Sequence, residues 1–131
     1  VKRRDDSVAY GQKAARSLTA ARLLLDSGDA DGACNRAYYA MYYAAQAALL
    51  AAGISEPEDG YRTHHGLIAA FGKHLVLGGQ IDQALGRSIN KVQHFRQLAD
   101  YTGNPFPLED AASAVLQAES FVVAIRARYR I

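Results

Sequence analysis

The run Asn35-Arg36-Ala37-Tyr38-Tyr39-Ala40-Met41-Tyr42-Tyr43-Ala44-Ala45 places four tyrosines and one arginine in an alanine-rich helix. A helix this apolar on nearly every side has to be the central strut of a helical bundle, because its large rings need packing partners on more than one face. At about 100° per residue, Tyr38, Tyr42, Ala45 and Leu49 share one face, while Arg36, Tyr39, Tyr43 and Leu50 lie near the opposite one. The first face can fill a core. The second, with its guanidinium and phenolic hydroxyls, suits a subunit interface or a polar cleft.

Five helical segments are expected. The first runs from about Asp5 to Ser27, where Gly28 stops it. The second begins near Asp29 or Asp31, either of which can cap it, and continues to Ala52. A polar loop from Ser55 to Arg62 follows. Thr63 is the expected N-cap of a third helix that ends at Gly78-Gly79, and a fourth runs from about Ile81 to Asp100. After the loop Tyr101–Phe106 a fifth helix starts at Pro107 or Leu108, since proline is tolerated in a first turn, and reaches about Arg128. The three prolines, Pro57, Pro105 and Pro107, fall in the two loops. No strand pattern or internal repeat interrupts the series. Short connections make neighbouring helices antiparallel, so the expected fold is all-α: an antiparallel up-and-down four-helix bundle with one short additional helix, forming a single domain over residues 1–131.

Composition narrows the function classes. Half of the residues are hydrophobic, yet no apolar run is long enough to span a bilayer and no secretory pattern is present, so a soluble cytoplasmic protein with no membrane partner is expected. One cysteine, Cys34, excludes an internal disulfide framework and reads as small core filler. The net charge of +2 permits an RNA partner without requiring one. The basic clusters Lys2-Arg3-Arg4 and Arg126, Arg128, Arg130 read first as solvated ends and second as nucleic-acid contacts.

Polar residues recur on apolar stripes. In the fourth helix Ile81, Leu85, Ile89 and Val92 continue into Arg96, Ala99 and Asp100, which puts a charged pair on the buried-side track at the i, i+4 spacing that lets the side chains meet. Burying either charge alone would cost several kcal/mol, so the two should pair. The pair reads either as a structural tie at the helix end or as a cleft in which Arg96 meets a phosphate. In the third helix His64 lies on the Ile68, Phe71 and Leu75 face, in the first turn, where the helix terminus disfavours an imidazolium and a neutral ring is expected. Glu119 interrupts the Val115, Val122 and Val123 stripe and could pair with Arg36 or Arg96. Arg36, His64, Arg96 and Glu119 together suggest a shared internal polar site. His65, His74 and His94 make no metal-ligand spacing, so neither a metal nor a cofactor is expected.

Three separated stretches resemble the HEPN superfamily, in its small stand-alone prokaryotic branch. Asp31 through Leu50 is similar to that branch's signature helix of a small polar residue, arginine, alanine, two tyrosines, alanine and methionine. Arg62-Thr63-His64-His65-Gly66-Leu67-Ile68, followed by Phe71-Gly72-Lys73, resembles its basic-Thr-His-x-Gly turn. Arg96-Gln97-Leu98-Ala99-Asp100-Tyr101 is similar to its Arg-x-x-Ala-Asp-Tyr ending. The resemblance covers nearly the whole chain. It implies a homodimer, a minimal nucleotidyltransferase as protein partner in a toxin–antitoxin module, and an RNA or nucleotide ligand.

For active members the resemblance implies metal-independent endoribonuclease chemistry, built on an arginine followed four to six residues later by a histidine. Here the fifth position after Arg96 holds Tyr101, so the histidine role would have to come from His64. The resemblance therefore implies Arg96, Asp100, Tyr101 and His64 as the catalytic set, Arg36, Asn35 and Arg96 as nucleotide- or RNA-binding residues, and Tyr101 as the acceptor if the transferase modifies this chain. The alternative is a non-catalytic dimer that binds a nucleotide or a partner, its polar cluster being structural.

Overall fold

The computed structural model describes residues 2–58 and 60–131. It is all-α, with helices α1 (Lys2–Asp26), α2 (Ala30–Ala51), α3 (His64–Phe71), α4 (Gln83–Tyr101) and α5 (Leu108–Tyr129), and no strand among the described residues. None of these helices is long and apolar enough to cross a membrane.

The helix ends follow local chemistry. Gly28, at φ 84°, closes α1, and the N–H groups of Gly28 and Asp29 reach back to the carbonyls of Leu25 and Leu24 at 3.0 and 2.9 Å, the left-handed glycine stop that satisfies terminal carbonyls. The Asp29 carboxylate then caps α2, accepting from Gly32 N–H at 2.8 Å. Thr63 Oγ1 caps α3 through Gly66 N–H at 2.9 Å, and Asp82 caps α4 through Ala84 N–H at 2.8 Å. Each side-chain oxygen takes one of the donors that a helix start leaves unpaired.

Helix α2 is the strut around which the rest packs. It touches α1, α3, α4 and α5, and eight of its alanines are buried together with Cys34, Tyr38, Met41 and Leu49. Small side chains allow close approach, and the largest fully buried side chains, among them Tyr38, Met41, Phe71, Phe121 and Ile125, fill the space between the helices. At one end of α1, Arg4 donates to the carbonyls of Tyr129 and Arg130 at 3.2 and 2.7 Å. At its other end Arg22 meets Glu119 at 3.1 Å. Helices α1 and α5 therefore run antiparallel.

Two expectations need correction. The third helix stops being α-helical at Phe71 and continues as a π-helical turn over Gly72–Val76, where Leu77 N–H bonds to Gly72 O at 2.9 Å. Glycine offers little helical preference there, and the wider turn keeps Leu75 buried beside Phe71. Glu119 pairs with neither Arg36 nor Arg96. It sits on the outer face of α5, where its partner is Arg22 and both side chains are close to half exposed, 43% and 46%. The helix rotation that buries Ala118, Phe121 and Val122 carries Glu119 outward.

Candidate functional site

The C-terminal part of α4, the middle of α2 and the first residue of α3 meet around one cluster. Arg96 continues the buried stripe of Ile89 and Val92 on α4, and its side chain is only 18% exposed. Its Nη1 donates to Asp100 Oδ2 at 3.2 Å, the i, i+4 pair that spacing anticipates. Its guanidinium carbon lies 4.7 Å from the centroid of the Tyr38 ring. A desolvated cation over a phenol ring gains about 2 kcal/mol, which helps offset the cost of withdrawing the arginine from water. Two polar atoms here, Tyr38 Oη and Arg96 Nε, are buried and have no hydrogen-bond partner among the described residues.

His64 completes the cluster from α3. Its ring lies 4.7 Å from Tyr42 and 5.4 Å from both Tyr38 and Tyr39, centroid to centroid. Burial, and then the positive charge of Arg96, push its pKa below histidine's ordinary 6.5, so the imidazole is neutral at pH 7 and can take up a proton. Tyr38 is wholly buried, and desolvation drives its phenol pKa upward against the opposing pull of Arg96. Tyr38 is therefore a neutral wall.

Asn35 and Arg36 join from the solvent side of α2. Arg36 donates from Nε and Nη2 to Asn35 Oδ1 at 3.1 and 3.0 Å, and its guanidinium carbon lies 4.9 Å from the Tyr39 ring centroid. Arg36, Tyr39, His64, Tyr38 and Arg96 thus form a continuous series in which two guanidinium groups flank one imidazole through tyrosine rings. Under this series Cys34 is fully buried. Its thiol is pushed up to about 12 by burial, with Asp100 and Asp31 adding to the rise and Arg96 opposing it.

Of the residues expected from sequence, Arg96, Asp100 and His64 are brought together, and Asn35 and Arg36 reach them through Tyr39. Tyr101, the last residue of α4, is 90% exposed and shares a shallow open depression with Arg96, Gln97 and Asp100. It makes no ring contact with His64 among the described residues. Sequence reasoning missed Tyr38, Tyr39 and Tyr42 as the walls around His64. The adjacent pairs Tyr38-Tyr39 and Tyr42-Tyr43, one turn apart, were the available signal, because rings at i and i+4 stack into one patch. Among the described residues no three of His, Cys, Asp and Glu are grouped as metal ligands.

A UPF0332 protein of Gloeobacter violaceus is 36% identical over 108 residues, covering 82% of each chain. A UPF0332 protein of Thermotoga maritima is 34% identical over 120 residues, 90% of this chain and 87% of its own. A Methanocaldococcus jannaschii protein bearing the name "Putative toxin" is 34% identical over 123 residues, 94% of this chain and 88% of its own. The family model described as HEPN domain matches residues 8–128, a span that takes in α2, α3, α4 and every residue of the cluster. The chain belongs to the HEPN domain family.

Proposed function

We propose that this HEPN protein is the toxin-like component of a toxin–antitoxin module, a homodimer that cleaves RNA without a metal ion at the Arg96–His64 cluster and is paired with a minimal nucleotidyltransferase. The observation that carries the reading is a neutral imidazole held within tyrosine walls beside a largely desolvated guanidinium. In the reaction the ribose 2′-oxygen attacks the adjacent phosphorus and the bond to the 5′-oxygen breaks. His64 accepts the 2′-hydroxyl proton, and a protonated group or water supplies one to the departing 5′-oxygen. Arg96 faces the extra negative charge that develops on the phosphoryl oxygens, while Asp100 holds the guanidinium in place. Arg36 and Asn35 supply a second phosphate contact. The products are a 2′,3′-cyclic phosphate and a 5′-hydroxyl end.

The test is incubation of the purified protein with single-stranded RNA in EDTA, with the ends of the fragments analysed. Cleavage to those ends, lowered at least about a hundredfold in Arg96→Ala, supports the reading, and intact RNA with the wild type rejects it. A second reading is favoured by the position of Tyr101, which occupies the place of the expected histidine: a non-catalytic dimer that binds a nucleotide or partner at the same cluster. In that case titration with nucleotides shows affinity while RNA stays intact. In either reading the exposed Tyr101 hydroxyl is the acceptor for a nucleotidyl group, and mass spectrometry after incubation with the transferase and ATP detects or excludes the modified peptide.

A further inference from the structure

A row of partly exposed tyrosines leads away from the His64 cluster along the seam between α2 and α1. Tyr39 lies 5.9 Å from Tyr43, and Tyr43 lies 6.4 Å from Tyr10 of α1 with the planes 21° apart, a stacked pair. The successive centroid spacings from His64 through Tyr39 and Tyr43 to Tyr10 are nearly equal, 5.4, 5.9 and 6.4 Å. Two cations ride on this row: Lys13 Nζ stands 4.5 Å from the Tyr43 centroid, and Arg36 covers Tyr39. Neither is engaged by a carboxylate among the described residues. Among the described residues Arg36 hydrogen-bonds only to the amide of Asn35.

Such a row needs an explanation beyond stability, because Tyr10, Tyr39 and Tyr43 keep part of their surface in water although α2 is otherwise lined with buried alanine. Rings accept bases of any sequence on their faces, and flanking cations accept the phosphates between them. We infer that Tyr10, Tyr39 and Tyr43, with Lys13 and Arg36, form a stacking track for the bases of single-stranded RNA leading to the Arg96–His64 cluster. Lys13 leaves the Tyr43 face for a phosphate when a base stacks there. Unpaired cations argue for a polyanion as the occupant: a second copy related by a two-fold axis through this seam would bring Lys13 and Arg36 toward their own images. A duplex hides its base faces and cannot use the track.

The inference rests on the RNA reading of the cluster, and its test separates the two. Fluorescence anisotropy of the full chain is measured with a labelled single-stranded oligoribonucleotide, with its duplex, and with a strand of equal length bearing abasic sites. The wild type prefers the single strand over the abasic strand by about tenfold or more. Tyr43→Ala and Tyr10→Ala each remove most of that preference, and Tyr43→Phe, which keeps the ring, retains it. Lys13→Gln weakens binding of both strands and flattens the salt dependence. Equal binding of the single and abasic strands, or unchanged affinity in Tyr43→Ala, overturns the track. So does sedimentation in which Tyr43→Ala lowers RNA affinity only by dissociating a dimer, because the seam is then an interface between copies. A base preference with no cleavage in the wild type sinks the catalytic reading alone, and cleavage without a base preference sinks the track alone.

Discussion

The guanidinium of Arg96 lies over the ring of Tyr38 at 4.7 Å, and each of the two side chains keeps a buried polar atom, Nε and Oη, without a hydrogen-bond partner among the described residues. The contact uses the face of the phenol ring, not its hydroxyl. Ring and hydroxyl therefore make separable contributions. Tyr38→Phe removes a buried polar group that no described residue satisfies, so its stability should stay within about 1 kcal/mol of wild type or rise. Tyr38→Leu loses the cation–ring contact and part of the core, a cost of about 1–3 kcal/mol. Urea denaturation of the three proteins checks both. A loss near 2 kcal/mol in Tyr38→Phe would mean that the hydroxyl is hydrogen-bonded after all.

The loop after α4 is tied down from a distance in sequence. Asp31 Oδ1 accepts from Phe106 N–H at 2.8 Å, and the Phe106 ring packs 5.6 Å from Phe95. Asp31→Ala strands that N–H beside a largely buried ring and should cost about 1–2 kcal/mol. Asp31→Asn keeps an acceptor oxygen in place and should cost less than half as much. Thermal unfolding measures the difference, and hydrogen exchange at Phe106 should accelerate in Asp31→Ala only.

Cys34 should be inert in the folded protein. With its thiol pushed up to about 12 and no exposed surface, its thiolate fraction at pH 8 is about a thousandfold below that of a free cysteine. A disulfide reagent such as dithionitrobenzoate should react at a rate set by unfolding, and quickly once denaturant is added. Fast native-state labelling would show that the α2–α4 contact opens readily.

Much of this arrangement follows from local rules. The glycine stop after α1, Thr63 as the cap of α3 and the Arg96–Asp100 pair each depend on residues within four or five positions of one another, which a linear reading captures. The all-α architecture follows from the alanine content of α2 and the turn residues between helices. Glu119 went astray because an apolar stripe fixes a helix face only to within about one residue. A shift of 100° turns an expected internal ion pair into a surface one with Arg22. The tyrosine walls of His64 were missed for a different reason: they depend on how α3 lies across α2, and no spacing within either helix encodes that crossing.

The depressed pKa of His64 links stability to pH with a definite sign. Its native pKa lies below the ordinary 6.5, first because of burial and second because of Arg96. Unfolded chains therefore bind the proton more readily than folded ones as pH falls below 6.5, so the contribution of His64 is complete above 6.5 and is lost as pH drops toward its native pKa. Urea midpoints measured between pH 8 and 5 should fall more steeply for wild type than for His64→Phe, with the divergence beginning near 6.5. NMR titration of the ring protons should place the native midpoint below 6.5. In Arg96→Ala that midpoint should move up yet stay under 6.5, because burial persists when the charge is gone. A wild-type midpoint at or above 6.5 would mean that a carboxylate, not a guanidinium, governs the imidazole, and the ring would then be partly charged where RNA cleavage requires a neutral base.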